Sequence, residues 1–479
     1  MSRELLLALD LGTTSVRALL FDAGSRVLAR AARPLGAHFP APGCVEQDPR
    51  ELWDASLRVL RETLAAARRG ADEIAGLGIA TQRASALAWD AESGEPLSAM
   101  LGWQDGRAAR RVAELRAAGV PITGLASATR FEWLLRNQPA VAAAAASGRL
   151  RMGGADAWLG FRLTGGAAHV TDPGQASTTG LYDLRRGAWS EPALALFSLD
   201  ADWLPRIVAT SEGVGETPAE LLGSPVPVAA RAGDQQAACF GQGVLAAGDA
   251  KLTLGTAAIL DLHTGASAAP ASNGAYPLSL WRLRGVDAFC VEGTVITAGA
   301  AVDWLVGVGL LASAGALDAA AREAKSAEGV AFVPALAGLG TPMLDLGARG
   351  LIGGLTRGST RAQIACALID GIAHRCVDVC DALGVPAHPL RVDGGLVRSR
   401  ALLQRLADAS GRPLLRASET ETTALGAALL AGLAAGVVSS PEACRSLLAP
   451  PERFDPIWSD EVRRAARASW QNALARARA

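Results

Sequence analysis

Lysine is almost missing from this chain: Lys251 and Lys325 are the only two among 479 residues, and the remaining basic charge is arginine. No Gly-x-x-x-x-Gly-Lys-Ser/Thr run occurs, which excludes a P-loop nucleotidase. No Gly-x-Gly-x-x-Gly follows a strand pattern, which argues against a dinucleotide fold. The 7 cysteines stand singly without a Cys-x-x-Cys pair. That speaks against a disulfide framework or a zinc site and fits a reducing, cytoplasmic compartment. The 5 histidines lack metal-ligand spacing. A formal net charge of −1 provides no basic field for nucleic acid or an anionic membrane surface. Long apolar runs are also missing. The stretch from Leu5 stops at Asp10, too short for a signal peptide, and Thr422–Val438 is too short and too rich in Ala and Gly to span a bilayer.

What is present points to a large globular protein. Half of the residues are hydrophobic and 19% are charged, enough apolar surface for sizeable cores. The length allows two to four domains, and large α/β units favour two. Residues 4–10, 15–22 and 26–34 read as three successive strands joined by tight turns. Asp48-Pro49 opens a helix to about Arg69, with Asp48 as the cap and proline at the first position. Residues 74–80 return as a strand. The pattern then starts again: strand 251–254, turn Gly255-Thr256, strand 257–263, helix 360–383, strand 390–392, and a helix from about Ser399. A second helix runs around 425–435. Two similar openings suggest duplicated domains, 1–245 and 246–479, with residues 120–230 as an insertion in the first.

Three short turns each follow a strand. Asp10-Leu11-Gly12-Thr13-Thr14-Ser15 offers backbone N–H groups and hydroxyls for phosphate oxygens, and Asp10 can hold a hydrated Mg²⁺. Leu254-Gly255-Thr256-Ala257 repeats the strand–Gly–Thr arrangement. Asp393-Gly394-Gly395 lets a flat base or an α-phosphate approach the backbone. Each turn alone is an ordinary hairpin; the three in this order are far more specific. Asp234, in Gly233-Asp234-Gln235-Gln236, ends an apolar strand pattern ahead of an Ala-rich helix. Phosphoryl transfer needs positioning, a metal and a carboxylate to take the acceptor proton, and Asp234 suits that task better than simple helix capping.

At these residues the chain resembles the FGGY family of carbohydrate kinases, over nearly its full length, and within it is most similar to glycerol kinases. Supporting segments are Gly233–Ala238, Gly338–Pro342, Gly354–Gly358 and Arg391–Gly395. The resemblance implies an α/β fold of two ribonuclease-H-like (actin/Hsp70-like ATPase) domains with a cleft between them. It implies ATP and Mg²⁺, a small polyol or sugar substrate, and a homodimer or homotetramer. Asp234 becomes the catalytic base, and Asp10 and Asp234 the metal-side carboxylates. Thr13, Thr14, Ser15, Arg17, Gly255, Thr256, Gly299, Asp303, Gly395 and Ser399 fall at nucleotide positions. Glycerol kinases carry Gln and Asn where this chain has Asp303 and Ser399. Arg83, Trp103, Asp105, Asp234 and Gln235 line the expected acceptor pocket.

That pocket departs from the family pattern. Gln82-Arg83-Ala84 replaces Gln-Arg-Glu, Leu125 stands at a tyrosine position, and Ile259 stands at an aromatic one. A lost carboxylate changes hydroxyl discrimination, so glycerol is not expected to be the preferred acceptor. Asp105-Gly106-Arg107 resembles ketose kinases, which keeps a xylulokinase- or ribulokinase-type acceptor open. A catalytically silent nucleotide or sugar sensor on the same fold is the alternative of another class. An Hsp70- or actin-like ATPase machine is a third, disfavoured because no peptide-binding domain follows the second half. Asp105, Arg107 and Arg110 alternatively form an ordinary ion-pair cluster. Trp53, Trp133, Trp158 and Trp203 are expected in the core, Cys366, Cys376 and Cys380 as buried small residues, and 463–478 as a solvated amphipathic helix.

Overall fold

A computed structural model describes residues 3–478; Met1, Ser2 and Ala479, at the outer ends of the two expected domains, lie outside the described residues. The first sheet is built from β1 (Leu5–Leu11), β2 (Ser15–Phe21), β3 (Val27–Pro34), β4 (Ile74–Thr81) and β5 (Val228–Gly233), in the order β5-β4-β1-β2-β3. β1, β2 and β3 are antiparallel, while β4 and β5 run parallel to β1. The register levels the carboxyl ends of the parallel strands. Asp10 lies opposite Ala80, Leu11 opposite Thr81, and Thr81 opposite Gly233. In open α/β sheets ligands bind just outside such ends.

The second sheet repeats this plan with additions at both edges. Its strands are β6 (Ala250–Leu254), β7 (Ala258–Gly265), β8 (Tyr276–Leu283), β9 (Val286–Val295), β10 (Leu390–Asp393), β11 (Leu414–Arg416) and β12 (Glu452–Phe454). They order as β8-β9-β7-β6-β10-β11-β12, with β10 parallel to β6. The sequence reading missed β8, β9, β11 and β12; the first two form a hairpin closed at Arg284-Gly285, both at positive φ.

Helix signals held where capping chemistry set them. α1 (Pro49–Ala67) starts with the Asp48 carboxylate accepting from Arg50 N at 2.8 Å and with proline in its first turn. It buries Leu52, Ser56, Val59, Leu60, Thr63 and Leu64 at helical spacing against β2 and β3. Later in the chain come α2 (Asp234–Gly241), α3 (Gly299–Gly307), α4 (Arg361–Leu383), α5 (Arg400–Ser410), α6 (Thr422–Ala434) and α7 (Asp460–Ala477). α4 opens with a capping box between Thr360 and Gln363. Cys366, Cys376 and Cys380 are buried along it as free thiols.

One helix crosses from the second half to the first. α6 comes after the last parallel strand of the second sheet, yet it packs on β1, β4 and β5 of the first. It crosses α2 so closely that a Cβ on Gly426 would sit 1.8 Å from Ala237 O, and one on Gly241 2.0 Å from Thr422 O. Only glycine permits that approach. The apolar, cap-free sequence of α6 reflects this position: ten of its residues are buried.

Two expectations shift. α7 is not simply solvated: Trp470, Ala473 and Leu474, spaced to share one face, are buried, and Trp470 Nε1 donates to Asp378 Oδ2 at 3.1 Å. Trp53 and Trp158 are buried, but Trp133 and Trp203 are only partly covered, and the Arg107 guanidinium lies 4.5 Å over the Trp133 ring. Residues 82–227, between β4 and β5, fold into short helices and strands of two to four residues. No helix among the described residues is long and apolar enough to cross a membrane.

Candidate active site

The two sheets are joined by polar contacts just beyond β4 and β5, where Arg83 meets Glu292 and Gln235 meets Lys251, and many of the candidate residues lie on turns that follow strands. The Asp10–Ser15 turn is held by Gly12 N donating to Ser15 O at 3.0 Å. Thr13 is locked into a ring of polar groups. Trp103 Nε1 donates to Thr13 Oγ1 at 3.0 Å, and Thr13 Oγ1 donates to Gln82 Oε1 at 3.3 Å. Gln82 Nε2 then donates to Gln47 Oε1 at 2.7 Å, and Gln47 Nε2 to Thr13 O at 3.0 Å. Trp103, expected at the acceptor, thus leans on a residue expected at the nucleotide phosphates. Thr14 is exposed. Arg17 donates to Ser15 Oγ at 3.1 Å and to Glu421 Oε2, across the lobes, at 2.5 Å.

The second turn is barer. Gly255 N donates to Ala257 O, and the turn is clasped by the start of α3: Gly299 N donates to Gly255 O and Ala300 N to Thr256 O. Thr256 is exposed. At the third turn Gly394 has φ +92°, and a Cβ there would lie 2.5 Å from Leu254 O, so β6 and this turn touch through glycine. A Cβ on Gly395 would meet nothing, leaving that residue open to the cleft. Asp393 Oδ2 accepts from Gln242 Nε2 at 2.8 Å and from Thr422 Oγ1 at 2.7 Å. Its Oδ1 is buried without a partner.

Asp234 is the first residue of α2, directly after β5, because Gly233 caps the helix with extended backbone. Its side chain is 31% exposed, and Arg83 Nε lies 3.5 Å from its Oδ1. Gln235 N donates to Oδ1 at 2.8 Å. Desolvation in the cleft raises the Asp234 carboxyl above its ordinary value, against the opposing pull of Arg83. Asp10, 7% exposed, has been pushed up to about 7 by burial, with Arg17 opposing and Asp234 and Glu421 adding to the rise. Among the described residues no group of three or more His, Cys, Asp or Glu side chains forms a metal cage.

Three candidates lie apart from the cleft chemistry or are already engaged. Asp105 is buried, with both oxygens used: Val45 N and Arg107 Nη2 reach Oδ2 at 2.7 and 2.9 Å, and Arg107 Nε reaches Oδ1 at 2.8 Å. This is the ion-pair cluster alternative, without Arg110, which pairs with Glu114. Ser399 caps α5, accepting from Leu402 N at 3.2 Å and donating to Asp318. Asp303 is exposed on α3, one turn beyond Gly299.

The site also contains residues that the motif reading passed over: Lys251, Asp261, Glu292 and Glu421. Arg83 Nη2 pairs with Glu292 Oε2 at 2.7 Å, and Lys251 Nζ donates to Gln235 Oε1 at 2.6 Å. A signal existed. Each of Lys251, Asp261 and Glu292 stands between non-polar neighbours in a strand, and a buried charge is tolerated only with partners. The one strand lysine in a nearly lysine-free chain was the clearest of the three. Ala84, at the altered position, has φ +55°, and its carbonyl accepts from Arg130 Nη2 at 2.6 Å. Arg130 also donates to Leu125 O at 2.7 Å, tying the two departures from the family pattern together.

Known proteins resemble this chain over nearly its whole length. The family described as FGGY carbohydrate kinases matches with its N-terminal domain over residues 5–241 and its C-terminal domain over residues 250–435. Glycerol kinases from Geobacter sp. (strain M21) and Thermus brockianus are 40% and 41% identical, covering 98% and 99% of this chain and 98% of their own lengths. A Plasmodium falciparum glycerol kinase solved with ADP superposes with TM-score 0.93 at 27% identity, over 99% of this chain and 98% of that one. A structure described as a xyloylose kinase from Brucella ovis gives TM-score 0.84 at 27% identity, again over 99% and 98%.

Proposed function

We propose a division of labour within this chain, which belongs to the FGGY family of carbohydrate kinases. The protein is an ATP-dependent kinase of a polyol or sugar. ATP lies along the second and third turns, with its phosphates toward the first. The turn shaped by Gly255 and Gly299, with the Thr256 backbone N–H and the open face of Gly395, receives the nucleotide, and Thr13, Thr14, Ser15 and Arg17 meet the terminal phosphates. The acceptor hydroxyl lies against Asp234, between Arg83 and Gln235, under Trp103.

The observation that carries this reading is the placement of Asp234. Its carboxylate, with raised proton affinity, starts α2 beside Arg83 and lies near enough to Asp10 of the first turn to raise that group in turn. Raised proton affinity makes it the better base for the acceptor hydroxyl, whose oxygen attacks the γ-phosphorus while ADP departs. Arg83 holds the acceptor oxygens, and closing the lobes excludes water, which limits ATP hydrolysis. Asp10 and Asp234 fit a hydrated divalent ion: Asp10 is buried near two like charges that a cation would relieve, and Mg²⁺ typically keeps several waters with one or two carboxylates. When bound, Mg²⁺ would offset phosphate charge.

The test is ADP release measured with glycerol, erythritol, xylitol, xylulose and ribulose. The expected outcome is acceptor-dependent release, with glycerol not the preferred acceptor. ADP release indifferent to every acceptor would sink the proposal in favour of a nucleotide-binding sensor.

A further inference from the structure

The head of α6 brings a carboxylate to the first turn. α6 follows β11 of the second sheet and packs on the first sheet, and the two residues where it begins bond in different directions. Thr422 Oγ1 donates to Asp393 Oδ2, at the third turn, at 2.7 Å. Glu421 reaches the first turn instead, where its Oε2 takes Arg17 Nη1 at 2.5 Å. A carboxylate at a helix start ordinarily serves the free N–H groups there. The Glu421 side chain caps none of them. The residue is held by its backbone, its N–H donating to Glu419 Oε1 at 2.9 Å and its carbonyl accepting from Leu425 N. Arg17 lies directly opposite Asp10 in the β1–β2 register and donates through Nη2 to Ser15 Oγ at 3.1 Å. Burial raises the Asp10 carboxyl most, Arg17 opposes the rise, and the charges of Asp234 and Glu421 add to it. One arginine thus faces a carboxylate from each half, Asp10 and Glu421, at the turn proposed for the terminal phosphates. The Arg17–Glu421 pair is open to solvent, with side-chain exposures of 39% and 23%, so a ligand can reach it.

We propose that Glu421 is a positioning residue that stands in for the transferred phosphate: without ATP it holds Arg17, and the γ-phosphate of ATP displaces it. This rests on placing the terminal phosphates at the first turn. A phosphate meets the arginine fork as a carboxylate does, with more charge, and so wins the exchange. The displaced carboxylate then lies close to like charge, which adds to the cost of binding ATP. ADP lacks the γ-phosphate, and Arg17 stays with Glu421. The ion pair therefore belongs to the empty and the ADP-bound states and is broken in the ATP-bound state. It lowers the affinity for ATP relative to ADP, and its return after transfer favours the product state.

The experiment measures binding of ADP and of the non-hydrolysable imido analogue of ATP, each with Mg²⁺, by calorimetry on the full-length protein and on Glu421→Gln. The substitution removes the charge and keeps the shape. The variant should bind the analogue about fivefold more tightly, the scale of a partly exposed ion pair, and ADP within about twofold of wild type. In an Arg17→Met background the same substitution should have no effect, because Glu421 acts through Arg17. A shifted melting temperature with both affinities unchanged would make Glu421 a structural residue only and overturn the proposal. Weaker binding of the analogue would overturn it too, since Glu421 would then hold Arg17 ready for the phosphate instead of competing for it. An equal gain for both nucleotides, or a gain that survives Arg17→Met, does the same. If Glu421→Gln does not fold, Glu421→Asp decides: it keeps the charge on an arm one methylene shorter, and an unchanged affinity for the analogue overturns the proposal. Arg17→Met that binds the analogue as wild type does contradicts the placement of the phosphates at the first turn. Weakened binding in Arg17→Met with no effect of Glu421→Gln refutes only the competition by Glu421.

Discussion

The two halves of this molecule share a strand plan but finish it differently. In the first half the gap between β4 and β5 holds residues 82–227; in the second, the gap between β10 and β11 holds only residues 394–413. The long excursion supplies hydrogen-bonding side chains: Arg83 beside Asp234, and Trp103, which donates to Thr13. The short one leaves glycine backbone, with Gly394 pressed on Leu254 O and Gly395 open. On the proposed division of ligands, the difference teaches how one fold serves two of them. A small hydroxylated acceptor has to be gripped by side chains at several points. A nucleotide offers a flat base and a charged chain, which backbone N–H groups and empty space accommodate.

The strongest way to break the comparison is at its centre. Asp234→Asn should lower kcat by about 10²–10⁴-fold, the range of a positioned general base, while nucleotide affinity by calorimetry changes little. An active Asn variant would remove Asp234 from proton transfer. A smaller, paired effect separates the halves. Gly394→Ala puts a methyl against Leu254 O at positive φ, a strain of about 1–3 kcal/mol. It should raise nucleotide KM and leave acceptor KM alone. Arg83→Lys should do the reverse, because an ammonium cannot reproduce a fork that meets Glu292 and Asp234 together. If both variants shift both constants alike, the halves do not divide the ligands as proposed.

The smallest effect is a pH slope. Burial raises the Glu292 carboxyl from 4.5 to about 7, against the opposing pull of Arg83. Between those values the folded protein keeps a proton that the unfolded chain has released. Stability from this group therefore falls as pH rises through that window. The melting temperature should decline across it, and Glu292→Gln should flatten the decline. An identical slope in the variant would show that another group carries it.

The strand–turn openings at Asp10 and Gly255, the Asp48-Pro49 cap and the Thr360/Gln363 box were legible because each depends on residues within a few positions of one another. The placement of Asp234 at a strand end was legible for the same reason. Ser399 and Asp105 were read by position in a motif, and both have their polar atoms engaged nearby, in a helix cap and in an arginine fork. Lys251, Asp261 and Glu292 were not legible as a group. They sit on three strands whose register no local pattern announces, and β9 was not read at all.

By itself the sequence determined which strands turn into which loops, where the helices cap, and which short motifs could meet phosphate, because those outcomes are set by neighbouring residues and hydrophobic period. Only the tertiary structure decided that α6 crosses to the other lobe through Gly426 and Gly241, and that a lysine, two carboxylates and an arginine from distant segments come together beside Asp234. Buried charges gain their meaning from partners, and those partners are chosen by sheet register and lobe packing rather than by distance along the chain.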